Sequence, residues 1–303
     1  MKRNLIVKEL DNSFRINQLS ADPAMSRFVP MVYDPIGFDW KAFFEPGFVS
    51  KFNGLMIKGA DSVGKVWGVS FPSDEVLTHI ISQAKEGDLI FAHHPVNMEC
   101  GDPRGKMGRG FLPVNLELLR KIKDKGISFY ACHAPLDYNE KISTSGAIAL
   151  GIGGKIVSRF YPYGNGFAGV ACEVPKTNTT DLAESLRKLA ELPYTDNIGV
   201  ERDDITRISI LAGGGGDVED IKEGEKQNVQ CHVGGEVTCK IDNERGRREK
   251  AKIEEYLPTA KISILGLSHA GSEYIVIRDQ LVPEIKEMFG IDAEAVPERH
   301  WWR

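Results

Sequence analysis

Leu89-Ile90-Phe91-Ala92-His93-His94-Pro95 is the stretch from which the fold can be read. Four consecutive apolar residues suit a strand buried on both faces, as in a parallel sheet covered by helices. Two histidines follow directly, at the place where open α/β sheets gather ligands, outside the carboxyl ends of their strands. Upstream, Val66 to Phe71 reads as a strand and Ser73 as an N-cap. Val76, Leu77, Ile80, Ile81 and Ala84 then form the apolar face of a helix running up to Gly87. Downstream the cycle repeats. Pro113 opens a helix with Leu116, Leu119 and Ile122 on one face, Gly126 stops it, and the strand Ile127 to Ala131 ends near His133 and Asp137. A third helix, Arg248 to Tyr256, is closed by Pro258 and feeds a strand, Ile262 to Leu267, that ends on His269. Three helix-then-strand units therefore each deliver a histidine.

Around this frame, residues 1–50 show little periodicity but several aromatics and prolines, among them Pro30, Pro35, Trp40, Phe43, Phe44 and Pro46, and read as an extension packed over the body. The pattern places a first α/β half at 51–160 and a second at 161–245. The second has a strand at Ala168 to Val174, a helix after Asp181 carrying Leu182, Leu186 and Leu189, and a strand Ile205 to Leu211 running into Gly213-Gly214-Gly215-Gly216-Asp217. A C-terminal segment, 246–303, returns to the first half. The similar layout of the units suggests a duplication too divergent for the sequence to establish.

The 303 residues are 42% hydrophobic and 27% charged, the balance of a soluble globular chain. A net charge of -5 and a pI near 5.9 speak against a duplex nucleic-acid binder, which displays a basic surface. The basic run Arg245, Arg247, Arg248, Lys250, Lys252 is interrupted by glutamates and reads as a solvated helix face. No apolar stretch approaches the ~20 residues of a membrane span, and Asn4 to Glu9 gives no signal-peptide core, so a cytoplasmic chain is expected. Five cysteines without a C-x-x-C pair, Cys100, Cys132, Cys172, Cys231 and Cys239, are expected to be reduced. The sequon at Asn178 is then a chance match.

Imidazoles and carboxylates together suit zinc, iron(II) or manganese, whereas calcium or magnesium favours an all-oxygen set. His93, His94, His133 and His269, with Asp137 and Glu273 close behind, form such a set. An extended backbone would point His93 and His94 to opposite faces; a turn at Pro95 would bring both to one site or send each to a different metal. His133 and Asp137 lie four apart across Pro135, His269 and Glu273 four apart across Gly271, and the proline and glycine suggest tight turns. The glycine run matches neither a Rossmann nor a P-loop spacing and reads as a flexible turn in preference to a phosphate nest. His79 and His300 read as structural or disordered, and Cys132, Cys231 and Cys239 as small buried hydrophobes.

Taken in order, Ala92-His93-His94-Pro95, His133-Ala134-Pro135-Leu136-Asp137, Gly234-Gly235-Glu236-Val237 and His269-Ala270-Gly271-Ser272-Glu273 resemble the Nif-three-like family of dinuclear metal proteins, some named GTP cyclohydrolase I type 2 homologs. The resemblance spans about Gly54 to Pro297. It implies two intertwined α/β halves with mixed sheets and the metal site in the cleft between them. It implies two metal ions on His93, His94, Asp137, His269 and Glu273, with Glu273 bridging and with His133 and Glu236 behind the ligands, orienting them or the substrate. Ring-shaped homo-hexamers are implied as well. This chain departs from the pattern at Ser268, where a glycine is usual, in the loop Gly101 to Gly110, and around Ser70 to Asp74, where an aspartate is usual. The function expected is metal-dependent hydrolysis of a small molecule, a nucleotide or phosphoester. The alternative is a non-enzymatic, metal-dependent ring that binds a small molecule or protein. No guanine pocket is recognisable in the sequence.

Overall fold

The computed structural model describes residues 1–302. The chain is mixed α/β and divides into two compact units. One comprises Met1–Met98, Phe111–Asn139 and Ile277–Glu298; the other comprises Glu99–Gly110, Glu140–Val276 and the segment from Arg299. Each unit is assembled from separate stretches, so the halves are intertwined along the sequence.

In the first unit a five-stranded sheet runs in the order Gly54–Ile57, Ser128–Ala131, Leu89–Ala92, Lys65–Val69, Asp292–Ala295. Only the Gly54–Ile57 pairing is antiparallel. Leu89–Ala92 lies at the centre with every residue buried, which is why its apolar run is unbroken. The helix Asp74–Gln83 is capped as its sequence suggests, Ser73 Oγ accepting from the Val76 N–H. The next helix, Leu116–Asp124, starts later than Pro113 because Asn115 is its cap, accepting from the Glu117 N–H at 3.0 Å.

Residues 1–50 are built into this unit's core. They carry the helices Arg3–Ser13, Met25–Tyr33, Trp40–Phe43 and Pro46–Lys51. Met25, Val29, Trp40, Phe44 and Phe48 join Trp67, Val69, Ile90 and Ala92 in one apolar cluster. Edge-on ring contacts from Tyr33 through Phe44 to Phe48 tie these short helices together.

The second unit holds a six-stranded mixed sheet in the order Lys155–Tyr163, Gly166–Thr177, Ile205–Leu211, Cys231–Gly234, Ser263–Gly266, Asp196–Gly199. The three strands from Ile205–Leu211 to Ser263–Gly266 are parallel. The strand anticipated at Ala168 to Val174 is the middle of a longer arm whose hairpin partner, Lys155–Tyr163, alternates in exposure without a clean apolar rhythm. The third helix begins at Glu244, where Asn243 Oδ1 accepts from the Gly246 N–H at 2.8 Å. Beyond Val276 the chain passes into the first unit and supplies its edge strand, Asp292–Ala295, parallel to Lys65–Val69. Among the described residues no helix is long and apolar enough to cross a membrane.

Candidate metal centre

In the first unit, the strand Leu89–Ala92 continues its ladder through the histidines: the His93 N–H donates to Val69 O at 2.9 Å and the His94 N–H to Ser70 O at 3.0 Å. Both rings nevertheless gather about His133. The His93 and His94 centroids are 4.5 Å apart, and they lie 5.0 and 4.8 Å from that of His133. One nitrogen from each ring falls within 4.8 Å of the others. Phe71 stacks on His94 at 3.9 Å and fixes its plane.

His93 Nδ1 lies 2.9 Å from Cys132 O. A carbonyl only accepts, so Nδ1 carries a proton and donates to it, and Nε2 is the nitrogen turned toward the cluster. That Nε2 is 3.4 Å from Asp137 Oδ1. Two donors each about 2.1 Å from one tetrahedral ion stand about 3.4 Å apart, so the pair has the separation of shared ligands.

His133 and Asp137 are brought together by a helical turn, Ala134–Asp137, with His133 at its N-cap position, and not by the non-helical turn that Pro135 suggests. Proline fits the first turn of a helix, where its missing N–H costs nothing. Behind His133 stands Asp22, which sequence reasoning missed. Its two oxygens each lie 3.1 Å from His133 Nδ1, and it accepts from the N–H groups of Ala24, Met25 and Ala134 and from the Asn53 amide. Burial opposes the Asp22 charge, but these donors, His133 foremost, outweigh it and hold its pKa well below the usual carboxylate range.

In the second unit, the strand Ser263–Gly266 leads through Ser268 into the fully buried helix His269–Val276. His269 and Glu273 therefore share a helix face, Nε2 and Oε1 being 3.2 Å apart. Gly271 makes no turn. A Cβ there would lie 3.0 Å from Leu192 Cδ2 and from Ser268 Oγ, so the glycine serves close packing. Ser268 occupies the left-handed region at φ 57°, which explains a glycine at that place in the pattern. The serine compensates by accepting from the Gly271 N–H at 2.9 Å.

Glu236 Oε2 is 2.7 Å from His269 Nδ1, leaving Nε2 to face Glu273. Burial works against a charged His269, yet Glu273, Cys100 and Glu236 raise its pKa well above the usual histidine value. Cys100 completes a buried group with Glu236 and His269, one donor atom from each lying within 4.8 Å of the others. Burial pushes its thiol up to about 12.

The glycine run is neither a free turn nor an anion nest. Gly213 has φ +72°, and a Cβ on it would lie 2.4 Å from Glu273 Oε1 and 3.1 Å from His269 Nε2. Its N–H donates to Ser272 Oγ at 2.9 Å, and its carbonyl accepts from the Glu236 N–H at 2.9 Å. His232 Nε2 donates to Gly215 O at 2.7 Å, while its Nδ1 meets Ser209 Oγ at 2.9 Å. Burial lowers the His232 pKa to about 4, so the ring stays neutral. His232 carries no sequence signal beyond its place in a strand.

Of the five expected ligands, His93, His94 and Asp137 thus belong to one unit and His269 and Glu273 to the other. His133 and Glu236 each sit with the set of their own unit. His79 and His300 are exposed. Cys132 and Cys231 are fully buried, and Cys239 is half-buried.

Comparison with known proteins gives a consistent result. The profile of the Duf34/NIF3 (NGG1p interacting factor 3) family matches residues 50–295. A protein of Archaeoglobus fulgidus named GTP cyclohydrolase 1 type 2 homolog is 25% identical over 245 residues, 80% of this chain and 86% of the relative. One of the same name from Pyrococcus horikoshii is 22% identical over 244 residues, 79% of this chain and 86% of the relative. The solved structure of protein ybgI, described as of unknown function, covers 98% of each chain with a TM-score of 0.66 at 16% identity, a likeness of fold.

Proposed function

The chain belongs to the Duf34/NIF3 family, and from that membership and its buried donor sets we propose that it is a metal-dependent hydrolase of a small phosphoester or nucleotide, built on a dinuclear transition-metal centre. The proposed ligands are His93, His94, Asp137, His269 and Glu273, with Glu273 bridging. Glu236 orients His269, and His133, anchored by Asp22, stands beside His93 and His94 as a further donor. The observation that carries the reading is the same in both units. A histidine Nε2 faces a carboxylate at 3.4 or 3.2 Å, while its Nδ1 is held by a protein acceptor. Nitrogen with carboxylate oxygen suits zinc, iron(II) or manganese. Bound there, two such ions supply Lewis acidity toward a phosphoryl or carbonyl oxygen and activation of water. The name carried by the relatives points to nucleotides as the first substrates to try. A cytoplasmic homo-hexamer is the proposed form.

Elemental analysis after reconstitution with each metal should give two ions per chain, and a screen of nucleotides and phosphate esters should reveal turnover that a chelator abolishes. His93→Ala should lower metal content with the circular dichroism spectrum unchanged. Metal content reproducibly below one ion per chain refutes the centre. Two bound ions without turnover refute the hydrolase and leave a metal-dependent binding protein.

A further inference from the structure

The loop Gly101–Gly110 that follows the paired histidines, with Glu99 and Cys100 leading into it, holds a thiol in place. Gly108 exchanges backbone hydrogen bonds with Lys240 and Asp242, both at 2.8 Å, and Arg109 closes the loop on Glu99 with two contacts of 2.6 Å. Gly101 has φ +85°, and a Cβ on it would lie 2.3 Å from Lys240 O, so the chain passes there only as glycine. Cys100, next to it, is 5% exposed and lies with Glu236 and His269. One Glu236 oxygen is spent on His269 Nδ1. The other, Oε1, is buried and has no hydrogen-bond partner among the described residues, a costly state for a carboxylate oxygen.

We propose that Cys100, Glu236 and His269 form a site for a thiophilic divalent ion, such as zinc, cobalt(II) or cadmium, within the second unit alone. Sulfur, nitrogen and carboxylate oxygen from three separate segments make three of the four positions of a tetrahedral ion. Charge balances: binding releases the thiol proton and the proton shared by His269 and Glu236, and the thiolate and carboxylate neutralise the ion. Sulfur sets the preference. Magnesium and calcium, which take oxygen donors, are excluded. The inference rests on reading His269 as a metal ligand: a neutral imidazole has one lone pair, so an ion held here through Nδ1 takes Glu236 from its orienting role and is an alternative to the ion on Nε2, and the count stays at two ions per chain.

The test is cobalt(II) added to the metal-depleted full chain. The expected result is a near-ultraviolet thiolate-to-cobalt charge-transfer band that is unaffected by excess magnesium, lost in Cys100→Ser and kept in Cys239→Ser and Cys132→Ser. Zinc affinity should fall roughly tenfold or more in Cys100→Ser. Visible cobalt bands without the charge-transfer band overturn this site and leave the proposed histidine–carboxylate centre standing. A band that survives Cys100→Ser also overturns it. No cobalt binding at all overturns both. Should Cys100→Ser not fold, X-ray absorption of the zinc-loaded wild type decides: one sulfur at about 2.3 Å supports the site, and a shell of nitrogen and oxygen only refutes it.

Discussion

Replacing Gly213 by alanine adds one methyl group against Glu273, the proposed bridging ligand, and its consequences can be worked out. At φ +72° an alanine pays about 1–2 kcal/mol for the left-handed conformation. The added Cβ falls 2.4 Å from Glu273 Oε1, whereas ordinary contact starts at 3.4 Å, so the carboxylate must retreat by about 1 Å. That atom is the far end of a flexible side chain, so the fold survives and the ligand moves. Ion–ligand distances tolerate about 0.2 Å, and the 3.2 Å spacing between His269 Nε2 and Glu273 Oε1 is lost. Zinc affinity should therefore drop roughly ten- to a hundredfold. Gly153→Ala is the control. It has the same φ of +72° and nothing within 4 Å of the added Cβ, so it carries the conformational cost alone. Competition with a chromogenic chelator reads affinity, and urea melts read stability. If Gly213→Ala binds zinc as tightly as Gly153→Ala does, Glu273 is not a ligand held against this backbone, and the reasoning fails.

Asp22→Asn turns an amide N–H₂ toward buried donors and should cost about 3 kcal/mol in urea melts. Because the folded pKa of Asp22 is depressed, its contribution is fully present above its unfolded value of 3.8 and lost as pH falls through the folded one, so the variant should flatten the acid limb of the stability curve. Asp220 has the opposite sign. Burial and then Asp217 raise it from 3.8 to about 7, so its contribution is full below pH 3.8 and lost as pH rises through about 7, at most about 4 kcal/mol. Asp220→Asn should remove that slope and be the more stable protein at pH 8; an unchanged slope assigns it elsewhere. Glu273→Gln should lose more metal than Asp137→Asn in parallel titrations, since a bridging ligand serves two ions; near wild-type binding of two ions by Glu273→Gln excludes the bridge.

What was legible in the sequence followed from strong local periodicity. The run Leu89–Ala92 is continuously apolar, the strands before His133 and His269 are broken only by the buried Ser128 and Ser263, and the ends of all three fix where the histidines fall. The N-terminal helices were not legible. Met25–Tyr33 carries Pro30 inside, Trp40–Phe43 is a single turn, and both are stabilised by ring packing, which leaves no periodic trace. Asp22 was invisible for a different reason: its partner His133 lies 111 residues away, so its role exists only in the folded chain. At Pro135 and Gly271 the residue type suggested turns, but a proline in a first helical turn and a glycine under a leucine are both compatible with helix.

The two units differ in what stands behind their histidines, and this separates how each set takes up an ion. His93 is backed by a neutral carbonyl that accepts from Nδ1, and its Nε2 faces Asp137 at 3.4 Å. His269 is backed by the Glu236 carboxylate and faced by Glu273, and although burial opposes its charge these groups raise its pKa well above the usual histidine value. The ring therefore holds a second proton near neutrality, placed between carboxylates where an ion would otherwise neutralise them. If His269 is a ligand as proposed, ion and proton compete for one nitrogen, so loading there releases a proton and strengthens as pH rises toward that raised pKa. The carboxylate also makes the imidazole a stronger donor once the proton has left. Occupancy of the His269 set should accordingly fall on acidification, with a proton taken up as the ion leaves, and metal titrations at several pH values with wild type and Glu236→Gln check it.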